Sequence, residues 1–144
     1  MDLSTVIDQF YYDMALSELR MMNENLYQHI SYTSMRYLDL IAYTENCTAS
    51  YIAQALHVSR PAVTSKINEL VRLGLVEKIQ SHEDRRVYYL FVSQEIAEEN
   101  KRFDRAVQYA VGQVQRQYSD TDIDHFCDIL QTFCKCYKEG VSYE

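Results

Sequence analysis

The feature that most limits the fold is a change of periodicity at one glycine. Up to Gly74 the apolar residues keep helical spacing, with Val63, Ile67 and Leu70 at i, i+4 and i+7. Directly after it, Leu75 to Gln80 and Val87 to Val92 are rich in β-branched and aromatic residues, and the charged stretch Ser81 to Arg86 separates them. A chain of 144 residues with three glycines and one proline has little other punctuation, so a helix must stop at Gly74 and a hairpin with a charged tip must follow.

The remaining pattern is helical. Leu3, Val6, Ile7, Phe10, Met14, Leu19 and Met22 mark a first helix over residues ~4 to ~27, and a second begins near Ser34, where Ser31, Thr33 and Ser34 offer caps. That second helix is expected to end near Glu45 and Asn46. A short helix follows with Thr48 as its cap and Ile52, Ala53 and Leu56 inside, then a turn at His57 and Val58. The next helix runs from Ser59 to Leu73 with Pro61 in its first turn, where a missing N–H costs little. After the hairpin, Ser93 caps a helix reaching about Gln117, and Ser119 to Asp122 open a last one carrying Ile123, Phe126, Leu130, Phe133 and Tyr137. The expected fold is mainly α with a small β-hairpin: six helices in a single domain, residues 1–144.

Nothing resembles a secretory leader or a membrane span, so the chain is expected in the cytoplasm without membrane contact. No glycine loop for phosphates, nucleophile elbow or His–carboxylate constellation suggests an enzyme, and no cofactor is expected. The net charge of −7 argues against nucleic acid until its distribution is considered. Residues 58–90 hold six basic and four acidic side chains, a net of +2, while the remainder carries −9. A basic island in an acidic chain suits one face meeting a polyanion.

A short helix, a turn and a longer helix form a helix-turn-helix, whose exposed second helix fits the major groove of double-stranded DNA. At about 100° per residue, the face opposite Val63, Ile67 and Leu70 carries Pro61, Thr64, Ser65, Asn68 and Arg72, with Ser59 at the helix start and Arg60 at the margin. No large apolar side chain is expected on that face. The hairpin tip then offers Arg85 and Arg86, suited to the minor groove, and Asp84 can orient Arg86 through a bidentate pair.

The run from Ser59 to Lys78, followed by Asp84-Arg85-Arg86, resembles the recognition helix and wing of MarR (multiple antibiotic resistance regulator) family regulators. The resemblance covers residues 34–93, with Lys78 where the family usually has arginine and Val92 to Ile96 in place of a common Leu-Thr-x-x-Gly. It implies a winged helix-turn-helix over 34–93, dimerisation helices at 1–30 and 94–144, and a homodimer on a pseudo-palindromic operator, with repression relieved by a small ligand or cysteine oxidation. Tyr11, Tyr27, Tyr32 and Tyr37 are candidates for a cleft taking an aromatic or amphipathic effector, or alternatively for core packing. His125, Cys127, Cys134 and Cys136 invite a metal reading, but Cys134 and Cys136 lie about 200° apart on a helix and cannot share an ion. Buried packing is expected for Cys127 and Cys134, no metal site is assigned, and Cys47, in a polar turn, is the better candidate for a reactive thiol. A metal- or thiol-sensing regulator of the same fold and a winged-helix protein-interaction module are the alternatives.

Overall fold

Small polar caps set where the helices begin. A computed structural model of the chain describes residues 1–24 and 27–142. The elements run α1 (Leu3–Met22), α2 (Tyr32–Tyr43), α3 (Ala49–Leu56), α4 (Arg60–Arg72), β1 (Val76–Gln80), β2 (Tyr88–Val92), α5 (Gln94–Gln117) and α6 (Asp120–Gly140). The architecture is mainly helical with one antiparallel hairpin, the class read from the sequence. Asp2, Ser31, Thr48 and Ser59 each accept a hydrogen bond from a first-turn N–H, and Ser119 forms a reciprocal capping box with Asp122.

Two boundaries differ from expectation. Ser31 rather than Ser34 caps α2, so the helix starts at Tyr32, and Ser34 is buried inside its first turn. At the other end α2 stops at Tyr43, and Asn46 takes a left-handed φ of 52° in the connection to α3. The first helix ends at Met22 with Asn23 as its cap. Residues 25 and 26, over which that helix was expected to continue, lie outside the described residues.

At the end of α4 Gly74 adopts φ 74°, its N–H donating to Val71 O at 3.0 Å and that of Leu75 to Leu70 O at 2.9 Å. This paired closure turns the chain sharply into β1 and uses two carbonyls the helix leaves unpaired. The hairpin pairs Val76 with Val92 through Gln80 with Tyr88.

The chain divides into two compact units, residues 1–97 and 98–144. In the first, Met35, Leu38 and Ile41 of α2, Ile52 of α3, and Val63, Ile67 and Leu70 of α4 form one core with Leu75, Val76, Leu90 and Ile96. Each fully buried aliphatic side chain contributes about 2 kcal/mol through removal from water. Cys47 belongs to this core at 1% exposure, which overturns its reading as a reactive thiol in a polar turn. Its carbonyl accepts from Leu90 N at 2.9 Å, so β2 closes over the α2–α3 connection and burial pushes the thiol pKa up. In the second unit α6 buries no residue, and Cys127, Cys134 and Cys136 are exposed within the chain rather than packed away.

Candidate nucleic-acid interface

The winged region is built so that α4 presents a polar face beside a hairpin whose tip carries Arg85 and Arg86. Val63, Ile67 and Leu70 are buried, whereas Ser59, Arg60, Pro61, Thr64, Ser65, Asn68 and Arg72 are all exposed on α4 or its cap. One expectation fails at the far end, where Val71 and Leu73 are exposed apolar side chains. Their location near the C-terminus of α4 leaves the first two turns free of apolar bulk. Lys66 is half-buried and donates to Ser34 Oγ at 3.3 Å and to Glu69 Oε2 at 2.9 Å, fixing α4 against the first turn of α2.

The wing tip is ordered by its own side chains. Ser81 Oγ accepts from the N–H groups of Glu83 and Asp84, and Gln80 Nε2 donates to Arg85 O at 2.7 Å. Asp84 accepts from Arg86 at three points, the backbone N–H at 3.0 Å, Nε at 3.1 Å and Nη2 at 3.0 Å. The Arg86 hydrogen bonds hold the Asp84 carboxyl below its ordinary range. Arg86 keeps 90% of its side-chain surface exposed, so the pair sets the direction of a guanidinium that still faces outward. The Arg85 side chain is exposed, and among the described residues no hydrogen bond or ion pair restrains it.

Between α4 and the wing lies a cavity of about 410 Å³. Arg60 and Thr64 line it from α4, Lys78, Arg86 and Tyr88 from the hairpin, and Thr48 and Ser50 from the start of α3. Arg60 Nη1 donates to Ser50 Oγ, tying the two helices together at the mouth. Sequence reasoning had Thr48 only as a cap and gave Ser50 and Tyr88 no part. Their roles depend on α3 meeting the hairpin, a contact that no local spacing encodes.

The tyrosines divide two and two. Tyr27 and Tyr37 are core residues at 5% and 7% exposure, while Tyr11 and Tyr32 are exposed. The Tyr32 ring lies under the Arg36 guanidinium at 5.0 Å. Arg36 also bridges Glu18 of α1 and Asp39 of α2. Burial raises the Asp39 pKa despite that neighbouring cation. No group of three or more His, Cys, Asp or Glu that could hold a metal ion occurs among the described residues. No helix among them is long and apolar enough to cross a membrane.

Residues 30–88 match the model of the MarR family. No curated protein matches the chain. Among solved structures, Streptococcus pneumoniae FabT in complex with DNA aligns with a TM-score of 0.73 at 20% identity, over 95% of this chain and 96% of that one. The adhesin competence repressor AdcR of Streptococcus pyogenes gives 0.63 at 20% identity, over 94% and 97%. A complex of S. aureus MepR with DNA gives 0.54 at 16% identity, over 94% and 98%. At these identities the structural likeness concerns the fold, and the sequence match falls on the α2-to-wing segment that builds the candidate interface. Through that segment the chain is similar to the MarR family, and through the fold around it to solved structures of the same architecture.

Proposed function

We propose that this protein is a transcriptional regulator that binds double-stranded DNA sequence-specifically as a homodimer, acting as a repressor on a pseudo-palindromic operator. The observation that carries the reading is the shared cavity between α4 and the wing: Arg60 and Thr64 of the helix and Lys78 and Arg86 of the hairpin border the same hollow. In such an arrangement Thr64, Ser65 and Asn68 meet base edges in the major groove, and Arg85 and Arg86 extend toward the adjacent minor groove. The solved FabT and MepR complexes with DNA are consistent with it. Two-fold symmetry would place the recognition helices about 34 Å apart. The apolar residues left exposed on α1, α5 and α6 support a second copy as the partner. Release by a small aromatic or amphipathic effector completes the proposal, with Tyr11 and Tyr32 as the two of the four candidate tyrosines that are exposed.

Selection of bound sequences from a random duplex pool tests DNA binding and half-site spacing together. The expected result is an inverted repeat whose affinity falls with salt. Arg86→Ala is expected to weaken binding about tenfold, whereas Asn68→Ala changes the preferred base at one position per half-site. A well-folded protein that enriches no sequence at low salt would overturn the reading.

A further inference from the structure

Two polar contacts hold α4 on either side of its apolar stripe. At about 100° per residue, Arg60 and Lys66 fall on opposite flanks of Val63, Ile67 and Leu70, each roughly 60° from the centre of the stripe. Arg60 Nη1 donates to Ser50 Oγ of α3 on one flank, and Lys66 Nζ donates to Ser34 Oγ of α2 at 3.3 Å on the other. Ser34 is 2% exposed, and its Oγ also accepts from the Ser31 cap at 2.9 Å, so the anchor on α2 is itself fixed. Lys66 keeps only 22% of its side-chain surface exposed, and its ammonium is shared with Glu69 at 2.9 Å. It is one of the six cations of residues 58–90, yet it is engaged by the protein itself, whereas Arg86 keeps 90% of its side chain exposed.

Burial of an apolar stripe is non-directional and leaves a helix some freedom to roll about its axis, whereas hydrogen bonds are directional. A roll of about 20° moves a side-chain tip ~6 Å from the axis through about 2 Å. A hydrogen bond to a base edge tolerates about 0.5 Å. Thr64, Ser65 and Asn68 therefore read bases only if the roll of α4 is set more finely than packing sets it. Resting on the DNA-binding reading above, we infer that Lys66 is a positioning residue for sequence recognition: bound to Ser34, it fixes the roll of α4 from the α2 side and makes no phosphate contact. The Arg60–Ser50 contact is its counterpart on the α3 side, so two tethers as well as the core hold the helix. The role separates Lys66 from an exposed cation such as Arg86, whose removal weakens binding alike for every sequence. Loss of Lys66 changes which sequence is preferred.

The test uses the full-length protein and duplexes recovered by selection. Lys66→Met, which keeps an unbranched stem and removes the ammonium, is expected to lower discrimination about tenfold at one or two base positions per half-site. Its salt slope is expected to stay within about 0.5 of the wild type, where loss of a phosphate contact takes away about 1 per half-site. Ser34→Ala is expected to reproduce the altered preference, and the double variant to add nothing to it. Lys66→Arg, which can still donate to Ser34, is expected to restore most of the wild-type preference. A second arm follows acetylation of the lysines by mass spectrometry. In the free protein Lys66 is expected to react more slowly than Lys101, whose side chain is 62% exposed, and the duplex to protect it no further. A salt slope lower by about 1 at unchanged preference, or protection of Lys66 only on DNA, would make it a phosphate contact and overturn the inference. So would additive effects of Lys66→Met and Ser34→Ala, or a uniform loss of affinity that tracks a lower Tm. Should Lys66→Met lose its thermal transition, Ser34→Ala carries the same measurements. Fast acetylation of Lys66 in the free protein overturns the tether alone, whereas a wild type that binds no duplex sinks the regulator reading and the inference with it.

Discussion

The two compact units satisfy their apolar residues in opposite ways. In residues 1–97 a core drawn from α2, α3, α4 and the hairpin is closed within the chain, with Ile52, Val63, Leu70 and Ile96 at 0% exposure. The hollow that this unit leaves open is lined by Arg60, Lys78, Arg86 and three hydroxyls, with Ala49, Ile67, Val87 and Leu90 between them. In residues 98–144 no α6 residue is buried, and Phe103, Val107, Val114, Phe126, Ile129, Leu130 and Tyr137 remain exposed. Its own hollow, about 350 Å³ between Val114, Tyr118, Asp122, Ile123 and Phe126, is mostly apolar. The first unit therefore holds a closed core beside an α1 that leaves Leu3, Val6, Phe10 and Leu19 exposed, and the second leaves its apolar residues exposed all along α6. Under the homodimer proposal, damage to the first changes folding, and damage to the second changes association.

The largest expected effect tests the open side. Leu130→Glu places a carboxylate on the apolar face of α6, where an interface would desolvate it at a cost of several kcal/mol. Association is expected to weaken by roughly a hundredfold or more. DNA binding falls with it, because two linked half-sites no longer act together. Sedimentation velocity with far-UV circular dichroism checks this: a monomer that keeps its helices is the expected outcome. A dimer of unchanged affinity would show that α6 is covered some other way.

The closed side predicts a different signature. Ile52→Ala removes three carbons from a site with no exposure and is expected to cost about 2–5 kcal/mol, through lost burial plus the cavity left behind. Denaturant unfolding at two protein concentrations separates this from an interface effect. The loss at Ile52 is expected to be the same at both, whereas Leu130→Glu removes the concentration dependence of the wild type.

The closed unit was legible in the sequence to the extent that its signals were local. Val63, Ile67 and Leu70 repeat at helical spacing, Gly74 ends the repeat, and the change to β-branched residues announces the hairpin, so α4 and its neighbours could be placed from the residues alone. Asp84 and Arg86 are two residues apart, and their pair could be drawn without any tertiary information. Cys47 was misread because its flanks, Glu45, Asn46 and Thr48, are polar, and its burial comes from β2 bonding to its carbonyl across more than forty residues. The tyrosines failed for a related reason. A phenol serves the core as readily as a surface, and only packing separates Tyr27 and Tyr37 from Tyr11 and Tyr32. Likewise the hollow that brings Lys78 and Tyr88 beside Thr48 and Ser50 depends on α3 approaching the hairpin, which periodicity does not report.

The smallest expected effect lies in the closed unit, where two helices end in left-handed residues of different chemistry. α4 ends on Gly74 at φ 74°, while α3 ends on His57 at φ 54°, with Val58 N donating to Ala53 O at 3.1 Å in the same kind of closure. A residue with a Cβ adopts this conformation at a cost of about 1 kcal/mol, and glycine adopts it freely. His57→Gly removes that cost but gives the unfolded chain more freedom, so the net gain is expected to stay below about 1 kcal/mol. Gly74→Ala incurs the backbone cost without relief. Space is not the obstacle, because an added Cβ there meets nothing within 4 Å. It is expected to lose about 1 kcal/mol. Opposite shifts of a few degrees in Tm, unaffected by protein concentration, would show that the helix-turn-helix closes on backbone geometry internal to one chain. A shift at either cap that grew with dilution would instead tie that turn to the interface and break the division between the two units.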